Sequence, residues 1–185
     1  MPVELVVVRH ADTDWTQSGQ HTGHTDIPLN GAGRAAASAL PARLAAWSFA
    51  EVWCSPLQRA RETCEIAGYG KRAELRPELI EWDYGAYEGV TTKEIQAERP
   101  DWDLWRDGAP GGEDAAAVGA RADLVLAGVG DSGVVLVFSH GHFLRVLIAR
   151  WLSLEPVQGA LFLLAPGALG VLGHERDRRV LRALG

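Results

Sequence analysis

The chain has 185 residues, 47% of them apolar and 23% charged, the make-up of an ordinary globular protein long enough to bury one sizeable core. A net charge of −6 without a dense Lys/Arg stripe argues against nucleic acid or an anionic membrane as partner. No stretch approaches the roughly 18 uninterrupted apolar residues of a membrane helix. The opening Met-Pro-Val-Glu carries no basic leader and no cleavage site, so a cytoplasmic protein, monomeric or homodimeric, is expected, with Cys54 and Cys64 reduced.

Leu5-Val-Val-Val8 forms a first strand that delivers Arg9 and His10 into a polar loop over residues 9–30. Asn30 caps an Ala-rich helix over 32–46, in which Pro41 predicts a kink or break. Glu51-Val-Trp-Cys54 reads as a short strand, and Ser55-Pro56 opens a helix through about residue 67. Another short strand is expected at 72–75. Residues 81–114 then change character, mixing Trp and Tyr with Gly, Pro and acids. They read as a loop-and-short-helix cap insert with a helix at 91–98 behind Thr91 or Thr92. A helix over 113–127, a strand over 134–138 and a helix over 142–152 follow, with closing strands near 160–164, 169–173 and 179–182. This order predicts one domain over residues 1–185, a three-layer α/β/α sandwich whose mostly parallel sheet ends with an antiparallel strand.

Four groups could carry chemistry. Arg9-His10 leaves one strand, and Ser139-His140-Gly141-His142 leaves another, where Gly141 lets backbone N–H groups turn toward a ligand. Arg59 and Arg61 stand near a helix N-terminus, a placement disfavoured by the helix dipole unless an anion sits there. Glu81, Asp83 and Glu88 lie among aromatics, surroundings that raise a carboxyl pKa toward a general-acid value. Each has an ordinary reading: a loop histidine, a solvated arginine, and for His142 a packing or capping role. Ending together at one sheet edge, they point to phosphate chemistry.

In order, these residues resemble the histidine phosphatase superfamily, the phosphoglycerate mutase-like clan, over essentially the whole chain. The matching motifs are Arg9-His10-Ala11, Thr22-Gly23-His24-Thr25-Asp26-Ile27-Pro28-Leu29, Ser55 through Thr63, Glu81 with Tyr87-Glu88-Gly89, and Ser139-His140-Gly141. The resemblance implies a phosphoglycerate mutase-like fold, His10 as a nucleophile forming a phosphohistidine, and Glu81 as proton donor. Arg9, Arg59 and a cationic His140 would bind the phosphoryl oxygens, with Thr16, Thr22, Gly23, Gly141 and Arg106 as further substrate contacts. It implies no metal and no cofactor. Ala11 and Asp12 depart from the family's usual Gly-Glu, and Ala11 would be strained if that position required φ > 0. Asp114 stands where relatives often carry Ser.

The family's glycolytic mutases carry an insert with paired arginines and a basic tail, both missing here, so the expected activity is hydrolysis of a small phosphorylated metabolite such as a sugar phosphate. Segments around Ser18–Gly23, Glu81–Gly85 and Trp105–Gly108 look like the branch that holds actinobacterial acid phosphatases and the fungal sedoheptulose bisphosphatase. A cofactor-dependent phosphoglycerate mutase and a non-catalytic phospholigand binder are the alternatives.

Overall fold

A computed structural model describes residues 2–185. Its centre is one six-stranded sheet in the order β3-β2-β4-β1-β5-β6. The strands are β1 (Glu4–Arg9), β2 (Glu51–Cys54), β3 (Glu74–Leu75), β4 (Val134–Ser139), β5 (Leu169–Glu175) and β6 (Arg178–Leu184). Pairings from β3 through β1 are parallel, while β5 runs antiparallel to both of its neighbours.

The apolar strands are buried on both faces, as a parallel sheet sandwiched between helices requires. Leu5, Val7, Val135 and Val137 face one apolar layer, which is completed by α5 (Thr92–Glu98), α6 (Leu104–Asp107), α7 (Ala115–Ala127) and α8 (Gly141–Trp151). Val6, Val8, Leu136 and Phe138 face the other, completed by α2 (Gly31–Ala37), α3 (Leu40–Leu44) and α4 (Gln58–Ile66). The fold is thus the three-layer sandwich with a mostly parallel sheet. Among the described residues, no helix is long and apolar enough to cross a membrane.

Several boundaries differ from expectation. The helix expected over 32–46 is two helices, broken at Ser38-Ala39 with Pro41 in the first turn of the second, while Asn30 caps the first by accepting from Gly33 N. Ser55-Pro56 does not open α4, which begins at Gln58 behind Leu57. Ser55 Oγ is instead engaged with Leu57 N and the His140 ring. Half of the strand expected at 72–75 forms, as the two residues of β3, while Arg72 ends a 3₁₀ turn over Gly70–Arg72. No strand forms at 160–164. Pro156 and a reciprocal cap between Glu155 and Gln158 start a 3₁₀ helix over Pro156–Leu161, and β5 is already paired on both sides. The polar loop also holds an unforeseen helix, α1 (Asp14–Ser18), capped reciprocally by Thr13 and Thr16. The other unforeseen helix, α6, is capped by Asp103. Asp114 has the same task on α7, where its side chain accepts from Ala117 N.

The loop that follows His10 rests directly on α2. Asp12 O accepts from Asn30 N at 3.0 Å, and a Cβ on Gly33 would stand 2.1 Å from that same oxygen. Gly33→Ala should therefore destabilise the protein by about 1–3 kcal/mol through overpacking. That is opposite in sign to the gain of roughly 1 kcal/mol that the exchange gives in a free helix. Urea unfolding measures it.

Candidate active site

The pairing of β1 with β4 sets Arg9 beside Ser139, so the two chains leave the sheet side by side. His10 N donates to Ser139 O at 2.9 Å, and the His10 and His140 rings lie with centroids 5.1 Å apart. The adjacent β2 ends at the same level, where Ser55 Oγ meets His140 Nε2 at 2.7 Å. His10 Nδ1 lies 2.8 Å from Ala11 O, and a carbonyl only accepts. The proton therefore sits on Nδ1, and Nε2 keeps its lone pair.

Two guanidiniums, one partly and one fully buried, lie near this histidine. Arg9 donates through Nη1 to Leu164 O and lies against the start of α8, where a Cβ on Gly141 would stand 3.0 Å from Arg9 Cζ. That close approach favours the glycine, since a methyl there would press on the guanidinium. Arg59, fully buried in the first turn of α4, gives Nη1 to Thr25 O and Nη2 to Thr22 O and Gly23 O. The carbonyls explain how a cation is held near a helix N-terminus. Arg9 Nε, Arg59 Nε and His140 Nδ1 are all buried without a hydrogen-bond partner. Burial lowers both guanidinium pKa values while Glu81 and Tyr84 pull the other way, and an arginine stays charged at neutral pH.

Burial, then Arg59 and Arg9, holds His10 well below its ordinary value. The same burial, with Arg59, His10 and Arg9, holds His140 well below its ordinary value too, against the cationic form that was expected. His142 is likewise pushed well down by burial and Arg145.

Glu81 is buried, but its carboxylate is bound by backbone as well as enclosed by aromatics. Oε1 accepts from Trp82 N and Phe143 N, and Oε2 from His142 N, so Glu81 caps the first turn of α8. Arg121 anchors this segment, donating to the carbonyls of Glu78, Ile80 and Glu81 and pairing with Glu113 at 2.7 Å. The competing acids are spent elsewhere: Asp83 Oδ1 accepts from Gly85 N, and Glu88 Oε1 accepts from Gly23 N and Thr25 N.

Above these groups opens a cleft of about 250 Å³, large enough for a small metabolite. Arg9, His10, Thr16, Thr22, Glu81 and Gly141 line it, with Arg59 and His140 behind its wall. Gly23 is placed in the loop held by Arg59 and Glu88 rather than on the cleft wall. Arg106 lies away from the cleft. It is exposed and bound to Asp107 and Asp101 O, because three acids crowd its short helix. The spare cation on the wall is Arg145, which with Tyr84 the sequence left unassigned; His142, expected in a packing or capping role, lines the cleft as well. A spacing of three between His142 and Arg145 on one helix was the available signal. Ala11 is unstrained: among the described residues only Ser153 and Arg176 combine a side chain with positive φ. Its N–H donates to Thr63 Oγ1 at 3.1 Å, and Asp12 accepts from Thr16 Oγ1.

The buried neutral histidines tie stability to pH. The unfolded chain binds protons on His10, His140 and His142 near pH 6.5, whereas the folded protein resists them. Stability should be fully present above that value and fall as pH drops below it. Thermal melting between pH 7.5 and roughly 5 tests this; a melting temperature that rises on acidification contradicts it.

Comparison with known proteins agrees with this geometry. The model of the histidine phosphatase superfamily (branch 1) matches residues 5–185. An acid phosphatase of Mycobacterium tuberculosis is 39% identical, covering 98% of this chain and 91% of its own length. Sedoheptulose 1,7-bisphosphatase of Saccharomyces cerevisiae is 34% identical over 80% of this chain and 67% of its own. The solved structure of an open reading frame product of Mycobacterium tuberculosis superposes with a TM-score of 0.91 at 38% identity, covering 98% of this chain and 96% of that one.

Proposed function

The chain belongs to the histidine phosphatase superfamily, and from that premise we propose that it hydrolyses small phosphorylated metabolites, sugar phosphates among them, through a phosphohistidine on His10. The observation that carries this reading is the set of buried, unpartnered nitrogens of Arg9, Arg59 and His140 around the bare His10 Nε2. Guanidinium donors buried without partners are costly, and a tetrahedral anion would satisfy both Nε groups at once; His140 Nδ1 joins them as a donor in the tautomer whose Nε2 accepts from Ser55 Oγ.

In the proposed reaction His10 Nε2 attacks phosphorus as the ester P–O bond breaks. Arg9 and Arg59, with His140, hold the equatorial oxygens as charge spreads over them. Glu81, fixed at the head of α8 beside the cleft, gives its proton to the leaving oxygen. It then takes one from the water that breaks the P–N bond. Burial, Arg59 and Arg9 hold the His10 pKa well below its ordinary value, which favours the unprotonated nucleophile.

Brief exposure to substrate followed by an alkaline quench should trap an acid-labile phosphate on His10, and His10→Ala should abolish turnover. An active His10→Ala enzyme would overturn the assignment. Glu81→Gln should slow intermediate formation from a sugar phosphate by about 10²–10⁴-fold, and far less from an aryl phosphate whose leaving group needs no proton. Single-turnover burst rates compare the two, and equal losses would remove Glu81 from proton transfer.

Because two guanidiniums and a helix N-terminus already supply positive charge, activity should survive EDTA while vanadate, a mimic of five-coordinate phosphorus, inhibits. Steady-state phosphate release settles it, and loss in chelator with recovery on Mg²⁺ or Zn²⁺ would contradict the scheme.

A further inference from the structure

Beyond the residues assigned above, His21 lines the cleft from the polar loop that carries Thr22 and Gly23. At this point the loop is zipped to the segment before α5. Gln20 pairs antiparallel with Thr91, His21 N donates to Val90 O at 3.0 Å, and His21 O accepts from Gly89 N at 2.9 Å. The imidazole is clamped by aromatics: its centroid lies 4.8 Å from the Tyr84 ring and 5.7 Å from the Trp102 ring, the latter edge-on. Only 8% of the residue is exposed, so backbone and packing together fix where the ring stands.

The same contacts decide its chemistry. His21 Nδ1 lies 2.7 Å from Val90 O, so the proton sits on Nδ1 and Nε2 keeps its lone pair. Burial lowers the pKa against the pull of Val90 O, Glu81 and Glu88, which favours the neutral ring. Among the described residues no donor reaches Nε2, and the atom is not sealed in the interior as Arg9 Nε and His140 Nδ1 are. It is therefore an open acceptor on a ring that borders the cleft. An acceptor in that position calls for a donor on the substrate. Arg9 and Arg145 line the same cleft and repel an ammonium group, so the donor that fits is an uncharged hydroxyl.

We propose that His21 is a specificity-determining residue whose Nε2 accepts a hydrogen bond from one hydroxyl on the organic part of the substrate. The inference rests on the phosphatase reading of the cleft. It narrows that reading to phosphomonoesters of sugars or polyols with a hydroxyl placed to reach this wall. An analogue without that hydroxyl presses a group that cannot donate against an enclosed acceptor, and the lost bond is what rejects it.

The test measures kcat/KM on a pentose phosphate, on each of its monodeoxy analogues and on an aryl phosphate. The wild-type protein should favour the parent sugar over one analogue by about 5- to 100-fold, and that analogue identifies the hydroxyl. His21→Phe keeps a ring against Tyr84 and Trp102 but removes the acceptor. It should bring the parent sugar down to the level of that analogue and leave the aryl phosphate within about threefold of the wild type. His21→Gln, which puts an amide oxygen near the place of Nε2, should restore part of the preference. Thermal melting shows whether each variant is folded, and His21→Leu takes the place of His21→Phe if that protein is not. Three results overturn the inference: a wild type that treats the parent and all analogues alike, a preference that survives in His21→Phe, or a loss in His21→Phe that is equal on every substrate. Phosphate release from the aryl ester but from no pentose phosphate also overturns it and leaves the phosphatase reading standing. Release from none of them overturns both.

Discussion

Everything at the cleft depends on the register between β1 and β4. Parallel strands present their C-terminal ends on the same side of a sheet, and a buried pair has its register fixed by the apolar faces it must match. With Val8 opposite Phe138 and Arg9 opposite Ser139, the next residue of each chain is a histidine. A slip of one residue would turn Val6 and Val8 from their layer to the opposite one and separate the imidazoles. The stability of the sheet and the placement of His10 and His140 are therefore one constraint.

Around that register a buried guanidinium, Arg59, and a partly buried one, Arg9, stand near a single buried carboxyl group, Glu81. Arg9 and Arg59 are held mainly by carbonyl oxygens, which orient a guanidinium without neutralising it. The one buried carboxylate at the cleft, Glu81, has its oxygens occupied by three backbone N–H groups at the start of α8. Those bonds fix the carboxyl group at the head of α8, and among the described residues it forms no ion pair with either arginine. Arg121 performs the corresponding service for the segment before Glu81, tying it to the half-buried carboxylate of Glu113.

The sandwich, the strand order of motifs and the convergence of Arg9, His10, Arg59 and His140 on one sheet edge were legible because apolar runs ending in polar turns are strong local signals. What escaped depended on contacts between distant segments. The Leu-rich run at 160–164 has strand composition, but its conformation is decided by Pro156, the Glu155–Gln158 cap and the lack of a free neighbouring strand. Ser55 has the look of a helix cap, yet its hydroxyl is claimed by His140, 85 residues away. Arg106 drew notice as a lone cation in an acidic stretch, and those same acids hold it at the surface. Arg145 drew none: its spacing of three from His142 puts the two on one face of α8, but which way that face turns is decided by packing between distant segments.

The alanine after the nucleophile has a further consequence, one that belongs to the unfolded chain. Its methyl is buried, 4.0 Å from the Cβ direction of Gly167, in a backbone conformation open to any residue. A glycine there would make the same turn from a larger set of denatured conformations, which costs about 0.4–1 kcal/mol of folding free energy. Departing from the family's usual residue at position 11 thus removes disorder from the denatured ensemble next to His10, and leaves the folded geometry of the turn as it was.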